Sequence, residues 1–351
     1  MPIGGGSFTV QNKVLPGAYI NFVSMGTNAK MGERGVAALP LELNWGPEGQ
    51  VFKLDAADFN ATSLKVFGYD PTDANILLVR EAMKRAKTLL IYRVNGGGTK
   101  ASATVGGMTV TAKYGGTRGN AIKVAVITNV DDATKADVVT YLDDMVMDSQ
   151  TVAKSGGAAS LVANDFVTFG TVATLTAATA TALTGGTNAT VNASKHAAAL
   201  TAFEVETFNV IGYPGTVEDI KSLYAAFVKR LRDDEGKKIV GVLYGYVGDH
   251  MGLINVKNGV VLTNGTTVTD QAVAWVTGAS AGAEVNESLT NTAYDDAVDV
   301  DVKYTKSQFE AAIKAGEFVF YADYGKARVL TDINSLTTIG QNMSSDWTSN
   351  R

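Results

Sequence analysis

The 351-residue chain contains no cysteine. Disulfides, thiolate metal sites and cysteine nucleophiles are therefore excluded. It has only two histidines, His196 and His250, and a Ser-His-Asp triad has to draw its base from these two. The amino terminus, Met1-Pro2-Ile3-Gly4-Gly5-Gly6, has neither the basic stretch nor the apolar core of a secretory signal. No run of about 18 apolar residues occurs, so neither a membrane-spanning helix nor a membrane partner is expected. The net charge is −5. That gives no basic excess, and no nucleic-acid partner is expected.

Apolar surface is plentiful, at 46% of residues, enough to bury the cores of two or three domains. Residues 1 to 30 make a poor start for a domain: Gly4-Gly5-Gly6 is followed by short extended runs broken at Pro16-Gly17. They read either as a frayed terminus or as an arm that adds a strand to a neighbouring subunit. Val36 to Leu43 reads as a buried strand and Trp45-Gly46-Pro47 as a turn. Asp73 is placed to cap a helix bearing Ile76, Val79, Met83 and Ala86 on one face. Leu89 to Val94 is the next strand, which completes an α/β pattern.

The composition changes after Gly98. From Thr99 to Lys195 there is no Pro, Trp or His, and Arg118 is the single arginine. Met108, Val110, Ala112 and Tyr114 alternate with Thr109, Thr111 and Lys113, the period of a half-buried strand. Ile122, Val124 and Val126 continue it, and Val138 to Met147 and Phe166 to Leu175 read as further strands. The region is an inserted all-β domain, a sandwich or a barrel. The α/β pattern resumes with a helix over His196 to Phe203 and a strand over Thr207 to Tyr213. Thr216 is expected to cap a helix facing inward through Ile220, Leu223, Tyr224, Phe227 and Leu231. Lys238 to Tyr246 is a strand, and Asn258-Gly259 and Asn264-Gly265 are hairpin-type turns. Asp270 to Ala283 is a small-residue helix. Thr305 and Gln308 form a capping box, and Glu317 to Ala322 with Lys326 to Leu330 form a terminal hairpin.

Three glycine clusters fall between Tyr92 and Asn120: Gly96-Gly97-Gly98, Gly106-Gly107, and Gly115-Gly116 with Gly119. A phosphate loop needs a Gly-Lys-Ser/Thr ending and a following helix. Here the following residues alternate like a strand, so the stretch reads as a hinge at a domain junction. No Gly-x-Ser-x-Gly elbow is present, and His250 with Ser288 makes a weak triad. Asp131-Asp132, Asp143-Asp144, and Asp295-Asp296 with Asp299 and Asp301 lack the spacing of a calcium loop. Asp299 and Asp301 alternate with Val298, Val300 and Val302 and read as an acidic strand face open to a basic partner. No catalytic residue, metal site or cofactor is expected.

Several stretches together resemble the sheath proteins of contractile phage tails and R-type bacteriocins, of the compact Gram-positive prophage type. They are Pro16-Gly17-Ala18-Tyr19-Ile20, Gly32-Glu33-Arg34-Gly35-Val36, Asn44-Trp45-Gly46-Pro47, Tyr92-Arg93-Val94-Asn95-Gly96-Gly97, Tyr114-Gly115-Gly116-Thr117-Arg118-Gly119-Asn120, Val285-Asn286-Glu287-Ser288-Leu289-Thr290 and Asp332-Ile333-Asn334-Ser335-Leu336-Thr337. Their order spans nearly the whole chain. The resemblance implies an α/β domain of the subtilisin-like sheath type, in two parts over 31–98 and 196–340, interrupted by a β-sandwich domain over 99–195. It also implies an extended arm over 1–30 whose Phe8, Val10, Val14, Tyr19 and Ile20 pair with a neighbour. The implied partners are other copies in hexameric rings, an inner tail tube protein, and baseplate and tail-end proteins. Assembly would take place in the bacterial cytoplasm, before release in a virion tail or bacteriocin particle.

Members of the family continue past the Asp332-to-Thr337 motif, whereas this chain ends at Arg351. A C-terminal domain starting at 341 is therefore expected to be missing and the chain alone to be monomeric. The alternatives are the sheath of a type VI secretion or related injection system, an α/β hydrolase, and a surface adhesin suggested only by the Thr/Ala-rich insert.

Overall fold

The computed structural model describes residues 34–338. The chain starts with β1 (Val36–Leu41), β2 (Val51–Asp55), α1 (Phe59–Phe67), α2 (Leu77–Met83) and β3 (Thr88–Arg93). It next forms β4 (Ser102–Val105), β5 (Met108–Ala112), β6 (Ile122–Thr128), β7 (Lys135–Leu142), β8 (Met145–Ala153), β9 (Val167–Phe169) and β10 (Ala178–Ala182). It returns through α3 (Ala193–Glu204), β11 (Val210–Tyr213), α4 (Glu218–Asp233), β12 (Val240–Tyr244) and β13 (Leu253–Val256). The last elements are β14 (Val260–Leu262), β15 (Thr267–Val268), α5 (Ala272–Gly282), β16 (Ala297–Val300), α6 (Lys306–Lys314), β17 (Glu317–Phe318), β18 (Phe320–Asp323) and β19 (Lys326–Val329).

The body is a seven-stranded sheet in the order β17-β13-β12-β11-β1-β3-β2. All neighbours pair in parallel except β2, which runs antiparallel at one edge. Both faces are covered, as a parallel sheet requires. On one face Leu39, Leu41, Leu89, Ile91 and Val242 pack beneath α2 and α5. On the other, Ala38, Leu90, Tyr92 and Ile211 pack against Phe203 of α3 and Tyr224 of α4. The small side chains of α5, buried along its length, allow the helix to lie close to the sheet.

The insert has a four-stranded sheet, β10-β6-β7-β8, and a three-stranded one, β4-β5-β9. Met108, Val110, Ile122, Val124, Val138 and Leu183 share their core.

Several elements differ from the sequence reading. Val138 to Met147 is two strands, because Asp143 and Asp144 both adopt positive φ, 48° and 67°, and turn the chain as a two-residue hairpin does. From Phe166 to Leu175 only Val167–Phe169 is strand. Thr216 caps nothing: α4 begins at Glu218 after Val217 and has no side-chain cap. Its first turn instead carries Glu218 and Asp219, which complement the helix dipole. Asn258-Gly259 is no hairpin turn. The buried Asn258 side chain accepts from the Phe320 amide at 2.8 Å and donates to the Phe320 carbonyl at 3.0 Å, joining the body sheet to β18. Glu317 and Phe318 form the body's edge strand, and the hairpin is β18 with β19. β2 and α1 had no sequence expectation.

Candidate functional site: a locked glycine-rich joint

The insert leaves the body after β3 and rejoins it before α3. The outgoing and returning strands run side by side: Thr187 N donates to Thr99 O at 3.1 Å and Ala189 N to Asn95 O at 3.1 Å. They lie so close that a Cβ on Gly98 would stand 1.8 Å from the Thr187 carbonyl oxygen. Gly116, at φ 135°, is likewise pressed against the Asn44 carbonyl oxygen, 2.2 Å from where its Cβ would be. Both clusters thus serve close backbone approach.

Arg93 fills the centre of this joint. Its side chain is fully buried and donates to Gly115 O at 2.7 Å, Gly46 O at 3.2 Å, Asn95 Oδ1 at 3.2 Å and Asn188 Oδ1 at 3.3 Å. Glu48 balances its charge at 3.4 Å. Burial pulls the guanidinium below its ordinary range and Glu48 opposes that shift. The same carboxylate accepts from Gly97 N and Gly115 N, both at 2.7 Å. The glycine amides that invited a phosphate reading therefore already hold an anion, the protein's own Glu48.

Two more side chains cross the joint. Trp45, on the loop after β1, is buried in the core of the insert, edge-on to Tyr114 at 5.3 Å and stacked on Phe166 at 6.4 Å. Arg118, the insert's single arginine, reaches back to donate to Gly68 O at 2.6 Å and lies over the Tyr69 ring at 4.3 Å. It also pairs with Asp143. At the stretch read as a hinge at a domain junction, buried charge, aromatic packing and close backbone contact all cross between body and insert. Glu48 and Asn188 carry no motif, and the sequence reading missed them.

The other candidate residues are engaged elsewhere. His196 is buried, with Nδ1 3.1 Å from the Tyr224 hydroxyl. His250 uses both ring nitrogens: Nδ1 accepts from Gly252 N at 3.0 Å and Nε2 faces Asp233 at 3.1 Å. Ser288 Oγ donates to Thr290, so these residues form no triad. Asp295 binds Arg85 and the Trp275 indole. Asp301 accepts from Gly259 N and Thr269 Oγ1, and the half-exposed Asp299 pairs with Lys303. No group of acidic and histidine residues among the described ones fits a metal, and no described helix is long and apolar enough to cross a membrane. Val285 to Thr290 and Asp332 to Thr337 meet in space: Leu289 N donates to Asp332 Oδ2 and Asp332 N to Thr290 Oγ1, both at 2.9 Å. Phe8, Val10, Val14, Tyr19 and Ile20 lie outside the described residues.

Body and insert thus meet through a buried arginine, a shared tryptophan and close backbone contacts. Comparison with known proteins gives the class. Three family models match in succession: the tail sheath protein Gp18 domain III N-terminal region over 34–94, the phage tail sheath protein beta-sandwich domain over 96–188, and the phage tail sheath protein central domain over 189–335. The Bacillus subtilis protein YqbK is 41% identical, covering 96% of this chain and 76% of that one. The crystal structure of a sheath tail protein from Desulfitobacterium hafniense superposes with a TM-score of 0.85 at 46% identity, over 95% of this chain and 78% of the other. A sheath tail protein from Listeria innocua gives 0.79 at 39%, over 90% and 72%. The chain belongs to the phage tail sheath protein family. It is a structural, non-enzymatic subunit of the sheath of a contractile tail, and a component of a virion or related particle.

Proposed function

We propose that this subunit, monomeric on its own, repeats in hexameric rings stacked as a helical sheath when it assembles in its particle, and that it moves in contraction as one rigid body, insert included. The observation that carries this is the buried Arg93–Glu48–Trp45 joint, which leaves no compliant linker between body and insert. Contraction then consists of repacking between two sets of interfaces while the subunit interior is unchanged. The sheath surrounds an inner tail tube, is nucleated at a baseplate, and drives the tube through a target cell envelope. The energy is stored at assembly, so no nucleotide is needed. In this reading the body, 31–98 and 196–340, is the subtilisin-like sheath domain and 99–195 the outer β-sandwich. Subunits assemble in the bacterial cytoplasm. The arm residues Phe8, Val10, Val14, Tyr19 and Ile20 add a strand to a neighbour's sheet. Deleting residues 1–20 tests the last point. The body is expected to keep its unfolding transition while electron microscopy of particles made with the deleted protein shows no sheath. Normal contractile tubes from the deletion would remove the arm from the reading.

A further inference from the structure

The chain enters and leaves the body at one end of the central sheet, where its parallel strands start, and both places are clamped. At the entry, Asn209 Oδ1 accepts from Gly35 N and Val36 N, each at 3.1 Å. The Gly35 carbonyl accepts from Lys87 N and Thr88 N, each at 3.0 Å, and Arg34 Nε donates to Ala283 O at 3.1 Å. At the exit, the Asp249 carboxylate accepts four bonds: from Thr337 N at 2.7 Å, Thr337 Oγ1 at 2.9 Å, Thr338 N at 2.9 Å and Thr338 Oγ1 at 2.7 Å. Ser335 N donates to Leu253 O at 2.7 Å, and its hydroxyl to His250 O at 3.1 Å. Val36 opens β1 and Leu253 opens β13. Both mark the end of the sheet where the parallel strands begin. The order β13-β12-β11-β1 separates them by three strand spacings, about 14 Å.

We propose that Asp249 is an anchor, which passes tension arriving through the segment beyond residue 338 into the starting end of β13. The Asn209 contact at Gly35 and Val36 does the same for tension arriving from before residue 34. This rests on the proposed amino-terminal arm as a link between subunits and extends the same role to the segment after residue 338. All four bonds converge on one carboxylate, so the segment cannot part from Asp249 without breaking each of them. Bonds to an ionised acceptor are also the stronger kind. The four donors hold Asp249 well below the usual carboxylate range, so it stays ionised in mild acid. On this geometry load crosses the sheet between β1 and β13 and bypasses the insert.

The test is to pull single molecules. The whole chain lacks cysteine, so Glu33→Cys and Ile339→Cys give two unique handles for optical tweezers. The parent is expected to hold until the body unfolds. Asp249→Ala is expected to add an early, short extension at a first-rupture force lower by about twofold, as lost charge-assisted bonds would give, while hydrogen exchange of the sheet amides keeps its parent values. Thr337→Ala with Thr338→Ala, which leaves the carboxylate and both amides, is expected to fall between, and it serves in place of Asp249→Ala if that variant does not fold. A first rupture identical to the parent's in the variant that folds overturns the anchor. Failure of the arm reading looks different: tubes form after deletion of residues 1–20, whatever the pulling curves show.

Discussion

Strands β3 and β5 are close along the chain and opposite in how they meet solvent. All six residues of β3 are buried, because helices cover both faces of the body sheet. In β5, Met108, Val110 and Ala112 are buried while Thr109 is exposed and Thr111 half-buried, because a sandwich strand has one inner face. One chain thus carries two solutions to burying a backbone, and the joint has to reconcile them. It does so by lending the insert's core a tryptophan from the body.

The sharpest break of this contrast is charge on the inner face. Val110→Asp buries an unpaired carboxylate and is expected to cost more than about 4 kcal/mol, whereas Thr109→Asp on the outer face is expected to stay within about 0.5 kcal/mol. Chemical denaturation of both variants reads this directly, and equal losses would mean that β5 has no inner face. Trp45→Ala comes next, at roughly 3–5 kcal/mol for a buried aromatic. If the joint couples the two regions, hydrogen exchange in this variant is expected to quicken in β1 and β5 together. Quickening in only one of them would show two independent units.

The smallest effect concerns pH. Burial holds His196 and His250 below the usual imidazole range, so the native state takes up protons less readily than the unfolded chain. Stability is expected to be full above the unfolded imidazole value, near 6.5, and to fall as pH drops through it toward the depressed native values. A thermal midpoint that rises on acidification from pH 7 to 5 would contradict this sign.

Much of the two-region plan was legible from periodicity. The run Val36 to Leu41 and the alternation from Met108 to Ala112 are opposite burial patterns written directly in side chains. Turn chemistry was less legible. Asp143-Asp144 reads as an acidic pair, and only the structure shows Asp143 held by Arg118 and Asp144 by Lys123 at a left-handed turn. α1 escaped notice because Asp58 makes no side-chain cap, so its start lacks the usual signal. The joint was half visible: its glycines stood out, but Glu48 and Asn188 are single polar residues whose partners lie far away in sequence.

The neighbouring crossing strands also bear on chain entropy. Asn95 and Ala189, the points where the excursion departs and returns, are one hydrogen bond apart, so the body closes the loop whatever the excursion contains. Lengthening a closed loop is cheap, about 0.6 kcal/mol for each doubling. The body sheet therefore places almost no thermodynamic limit on the size of what is carried at this position. An inserted module can be exchanged or enlarged here while β3 and α3 stay in register, provided the replacement still receives Trp45 and satisfies Arg93.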